Sequence, residues 1–165
     1  MVGVFFIKIF LYFFNMKKTN TKTVDLKKLA EALGLKNSDE AFDFLNDGRI
    51  MGRVGEFWVD GKRQNENAPF DVNDNQGKRV EVRSITKKVS FASSKEVGYG
   101  RSVTEEGFQQ KLNSLDNYLL LDLRDLKNGN VDMIEVTKDE LTNLPIGKNK
   151  SISAEKFYEI YDSNK

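Results

Sequence analysis

Residues 69–85 read PFDVNDNQGKRVEVRSI, and how this stretch folds decides how the rest is understood. Residues 69–72 and 78–85 have the apolar and β-branched content of strands, while the five residues 73–77 between them, NDNQG, are strong turn formers. A β-hairpin is expected. In its second strand Val80 and Val82 face one side and Glu81 and Arg83 the other, because side chains alternate with period two. If Asp71 and Glu81 are direct partners, their Cβ atoms lie about 5 Å apart. Two carboxylates at that separation repel unless a cation sits between them.

Composition narrows what such a pair could serve. The chain has 165 residues, 26 Lys+Arg against 25 Asp+Glu, no His and no Cys. Disulfides, zinc fingers, Ser-His-Asp and Cys-His nucleophiles and a histidine base are all excluded. Any metal must be hard and oxygen-bound, which points to Mg²⁺, with Mn²⁺ possible, held by Asp71 and Glu81 together with water and substrate phosphate. Arg83, two residues along the same strand face, would stabilise phosphate charge or orient water. These are the parts of metal-assisted phosphodiester hydrolysis. The bland alternative is an exposed ion-pair ladder contributing less than about 1 kcal/mol.

Working outward, helices are expected before the hairpin. Leu26, Leu29, Ala30 and Leu33 keep helical spacing up to Gly34; a second helix is capped by Ser38, with Asp39 and Glu40 in its first turn; a third runs over 49–59 with Ile50, Val54, Phe57 and Trp58 in one stripe and Glu56 off it. After the hairpin come a Ser/Gly-containing stretch over 89–101, a helix over 104–115, an apolar strand over 118–123, a strand over 131–136, a short helix over 137–141 and a last helix over 153–161. The order predicts one α/β or α+β domain.

With that order in place, the hairpin resembles the PD-(D/E)xK nuclease superfamily, which includes many restriction endonucleases. Pro69 and Asp71 match the first half of its motif, Glu81, Val82 and Arg83 the second, with Ser84 following, over a resemblance spanning residues 49–136. The resemblance implies an α/β restriction-endonuclease-like core, preceded here by a small N-terminal helical region, with residues 104–115 as the crossover helix. It implies catalytic roles for Asp71, Glu81 and Arg83, and for Glu56 on the upstream helix. One residue separates Pro69 from Asp71 where the motif has none. Arg83 stands where lysine is usual, and a guanidinium does not deprotonate in proteins, so it cannot act as a general base.

Charge distribution adds an independent argument. Residues 78–101 carry seven basic and two acidic groups, a local +5 within a chain whose formal net charge is +1. Phosphate neutralisation by such a cluster underlies salt-dependent DNA affinity. The DNA-binding candidates are Lys87, Lys88, Ser93, Ser94, Lys95, Tyr99 and Arg101. Gln109, Gln110 and Lys111 read as a solvated helix face. Residues 1–15, MVGVFFIKIFLYFFN, are too short and too interrupted by Lys8 for a membrane span and are expected to be an extension outside the fold, leaving residues 16–165 as a single cytoplasmic domain. The leading expectation is a Mg²⁺-dependent type II restriction endonuclease acting on double-stranded DNA as a homodimer. Alternatives are a structure-directed repair or mobile-element nuclease, a catalytically impaired nucleic-acid-binding module, and a membrane-tethered interaction protein.

Overall fold

The leucine-rich run 117–122, NYLLLD, is buried along its whole length and lies inside the sheet. In the computed structural model, which describes residues 15–93 and 103–165, it is one strand of a six-stranded mixed sheet. The strands are β1 (Lys17–Thr23), β2 (Gly61–Arg63), β3 (Val72–Asp74), β4 (Arg79–Ile85), β6 (Asn117–Asp122) and β7 (Asn130–Thr137), in the order β1-β7-β6-β4-β3-β2. β4 and β6 are parallel, as a crossover connection requires, and every other pair is antiparallel. β5 (Lys88–Ser90) and β8 (Ser151–Ser153) form a separate two-stranded pair. The helices are α1 (Leu26–Leu33), α2 (Ser38–Leu45), α3 (Gly48–Trp58), α4 (Glu105–Asn113), α5 (Lys138–Asn143) and α6 (Ala154–Ser163).

Period two divides the core between the two faces of this α/β fold. Leu119 and Leu121 of β6 join Val80 and Val82 of β4 in a cluster closed by Leu26, Ala41, Leu45 and Met51 of α1–α3. Tyr118 and Leu120, with Ile85, join the opposite cluster, closed by Phe108 and Leu112 of α4 and Phe157 of α6. α3 approaches the sheet closely at Gly55, where an added Cβ would stand 2.6 Å from Leu121 Cδ1 and 2.9 Å from Val82 Cγ1. Any larger residue there would lift the helix away from β4.

Several expected boundaries move. Asn37, not Ser38, caps α2, its side-chain oxygen accepting from Glu40 N at 3.0 Å. The first hairpin strand is displaced from the expected 69–72 to Val72–Asp74: Pro69 has no N–H for a ladder, and pairing with β4 begins at Val72↔Val80. The turn is shorter than the expected 73–77, since Asn73 and Asp74 belong to β3; Asp74 Oδ1 accepts from Gln76 N and Lys78 N while Gly77 takes the left-handed φ of 78°. β1, sequence KKTNTKT, carries no apolar alternation and is invisible to pattern reading; it is an exposed edge strand held by its backbone ladder to β7, and its lysines blunt that edge. Residues 1–14, most of the expected extension, lie outside the described residues. Among the described residues no helix is long and apolar enough to cross a membrane.

Candidate functional site

Asp71 lies just before β3 and acts as its continuation. Its N–H donates to Val80 O at 3.0 Å, and its Oδ2 accepts from Val82 N at 2.8 Å, where a longer β3 would have supplied a carbonyl. The carboxylate is therefore fixed by backbone. Glu81 projects from the opposite face of β4 to Val80 and Val82 and is only 5% exposed. Its Oε1 accepts from Arg83 Nη2 at 2.7 Å and its Oε2 lies 2.9 Å from Lys111 Nζ. Arg83 Nη2 also donates to Ala92 O at 3.1 Å, tying the site to the buried segment around Phe91, whose carbonyl accepts from Tyr118 Oη at 2.6 Å.

Lys111 is the residue that sequence reasoning missed. The solvated-face expectation fails for it, since its side chain is 10% exposed and its Nζ donates to Pro69 O at 2.7 Å while pairing with Glu81. Gln109 does lie on the exposed face, bonded to Glu105. The available signal was spacing: Lys111 follows Phe108 by three and precedes Leu115 by four, so it borders the buried stripe of α4. Glu56 is also less solvated than its place off the apolar stripe implies, because Arg63 and Arg53 pair with its Oε2 at 3.0 and 3.1 Å and cover it.

Electrostatics separate Asp71 from the other carboxylates. Burial, the negative charge of Glu81 and the more distant charge of Glu56 push its carboxyl up to about 6, against the Val82 N–H bond and Arg83, which favour the charged form. Burial is the largest of these effects, and a divalent cation beside Asp71 would favour its charged form; two carboxylates are the usual protein share of a Mg²⁺ site. Among the described residues no group of three or more acidic, His or Cys side chains is placed to hold a metal ion.

The surroundings are concave on two sides. A groove of about 640 Å³ runs between α3 and the outer edge of β4, and a second of about 390 Å³ lies against α4 and residues 66–69. Asp71 and Glu81 line both. Arg83 and Glu56 line the first, Lys111 the second. Of the DNA-binding candidates, Lys88 reaches the first groove and Ser93 the second, while Lys87 is exposed beyond β4. Ser94, Lys95, Tyr99 and Arg101 lie outside the described residues. Comparison of the chain with protein-family models, with curated proteins and with solved structures gives no match.

Proposed function

We propose that the protein is a metal-dependent endonuclease that hydrolyses phosphodiester bonds of double-stranded DNA, of the restriction type and acting as a homodimer. The observation that carries this reading is the convergence of Asp71 and Glu81 at the junction of two open grooves, with Arg83 on one oxygen of Glu81 and Lys111 on the other. A strand crossing that junction would bring one phosphate over the carboxylate pair. The chain order also supports it: α3 precedes the strands β2, β3 and β4, and α4 crosses over to a parallel β6, which agrees with the core that the PD-(D/E)xK resemblance implies.

In this reading Asp71 and Glu81 hold Mg²⁺, which supplies Lewis acidity at the scissile phosphate. Asp71 is oriented by Val82 N–H, and Glu81 by its two cations. Arg83 and Lys111 stabilise the charge that builds on phosphorus oxygens as water adds and the P–O bond breaks. Lys111 supplies the ammonium that the Arg83 position lacks, paired with Glu81 at 2.9 Å. It reaches the site from α4 instead of from β4. Glu56 acts from a distance, holding Arg53 along the first groove while also pairing with Arg63.

Plasmid DNA incubated with the protein and Mg²⁺ should be cut, discrete fragments marking sequence specificity and a smear a structure-directed or nonspecific nuclease. Asp71→Ala and Glu81→Ala should abolish cutting, and Lys111→Ala should slow it by roughly 10²-fold or more. Absence of cleavage on every DNA tested, in Mg²⁺ and in Mn²⁺, would leave a nucleic-acid-binding module in its place.

A further inference from the structure

The first groove holds cations that its carboxylates do not use. Asp47, at the N-terminus of α3, accepts from Arg49 N and Ile50 N, and Glu56 is held by Arg53 and Arg63. Arg49 and Lys88 line the same groove and have no ion-pair partner among the described residues. The wall that α3 offers is kept low by Gly52, where an added Cβ would meet only Ser84 Oγ, at 3.8 Å. Room for a side chain is present and left empty.

The opposite wall is an open strand edge. β3 pairs with β4 only at Val72↔Val80 and Asn73↔Arg79, and Val82 N–H is taken by the Asp71 carboxylate. Backbone alternation therefore turns the N–H of Ser84 to a side of β4 with no strand partner. Two further donors beside it, Ser84 Oγ and Arg83 Nε, are buried without a hydrogen-bond partner among the described residues. Buried donors left in this state call for an acceptor. The second groove differs: its ammonium, Lys111, is committed to Glu81 and Pro69 O, and Gln110, Asn67 and Ser114 add only neutral groups.

From this asymmetry we infer that the groove between α3 and the edge of β4 is the seat of a backbone phosphate flanking the scissile one, with Arg49 and Lys88 as its countercharges and Ser84 as its donor. The inference deepens the nuclease reading and rests on it for the path of the strand across Asp71 and Glu81. The ligand class is a nucleic-acid phosphodiester.

Binding of a fluorescently labelled DNA duplex to the full chain in EDTA, followed by anisotropy across a salt series, tests it without requiring cleavage. Gly52→Ala should bind as the parent does, since its Cβ fits, whereas Gly52→Leu should weaken binding about tenfold or more by filling the groove; Arg49→Ala and Lys88→Ala should each weaken binding and flatten the log Kd against log salt slope by about 0.9. Urea unfolding midpoints equal to the parent's establish that these variants are folded. Gly52→Leu with the parent's affinity, or an unchanged salt slope in both alanine variants, overturns the inference. If those binding shifts appear and the parent cuts no DNA, the nuclease reading fails and the phosphate seat stands; if the parent cuts and its binding ignores all three substitutions, the reverse holds.

Discussion

Two acid-x-Arg steps lie on the parallel strand pair of this sheet, and they have opposite characters. Glu81-Val82-Arg83 belongs to β4; Asp122-Leu123-Arg124 begins at the last residue of β6. In each, a carboxylate from a buried residue meets the guanidinium two residues on, at 2.7 Å. Around Asp122 everything is matched: Arg124 donates to Asp122 through Nε and Nη2 and to Asp162 through Nη1 and Nη2, stacks 3.7 Å over the Tyr158 ring, and Tyr158 Oη donates to Asp122 at 2.9 Å. Hydrogen bonds donated to these carboxylates hold the Arg124 guanidinium firmly in its charged form. Around Glu81 the matching is incomplete. Arg83 Nε has no partner among the described residues, and burial together with the charge of Glu81 disfavours the charged form of Asp71. The first network clasps α6 to the sheet; the second has the unspent capacity that a substrate or metal would use.

The sharpest way to break this contrast is to remove each arginine. Arg124→Ala leaves Asp122, 6% exposed, with Tyr158 as its remaining side-chain partner, and should cost about 3–5 kcal/mol in urea unfolding. Arg83→Ala leaves Glu81 paired with Lys111 and should cost less, about 1–2 kcal/mol. DNA cleavage per folded molecule should survive the first substitution and fall with the second. Equal stability losses would mean that both clusters are structural.

A smaller effect has the opposite sign. Because the Asp71 carboxyl is raised in the folded protein, the native state holds its proton more tightly than the unfolded chain does. As pH climbs from about 4 to about 6 the unfolded chain ionises first, so stability falls across that window and the penalty stays constant above it. Asp71→Asn should therefore stabilise the metal-free protein by about 1–3 kcal/mol at pH 7.5 and by little below pH 4, read from thermal or urea unfolding, while abolishing cleavage. Mg²⁺ should raise the melting temperature of the parent and leave that of Asp71→Asn nearly unchanged. An Asp71→Asn protein less stable than the parent at pH 7.5 would place Asp71 with Asp122, as a structural carboxylate.

What was readable beforehand followed side-chain periodicity. The hairpin, the two faces of β4 and the leucines of β6 all carry patterns that local physics enforces, and those patterns are what single out Asp71 and Glu81 as candidates. β1 was not readable, since a polar edge strand is specified by its partner's backbone and not by its own side chains. Lys111 was not either: its importance comes from where α4 docks, 30 residues beyond Glu81, and no local pattern reports the Pro69 carbonyl that it meets. Nor could sequence separate the two acid-x-Arg steps by themselves. That distinction rests on Asp162 and Tyr158, which arrive from the last helix.

The mildest substitution tests whether the matched cluster behaves as one unit. Asp162 supplies half of the acceptors for Arg124, yet its side chain is 42% exposed, and the charge it gains from Arg124 is screened by solvent. Taken as a separate surface pair, it should lose less than about 1 kcal/mol on Asp162→Asn, and most of that loss should vanish in 0.5 M salt. Asp122 would still hold Nε and Nη2 of Arg124, so the clasp on α6 persists. A loss close to that of Arg124→Ala, insensitive to salt, would show that the guanidinium is positioned by both aspartates together. Near-complete satisfaction would then be a condition for the cluster's stability, and the donor left unmatched at Arg83 would stand out further as a feature kept for binding.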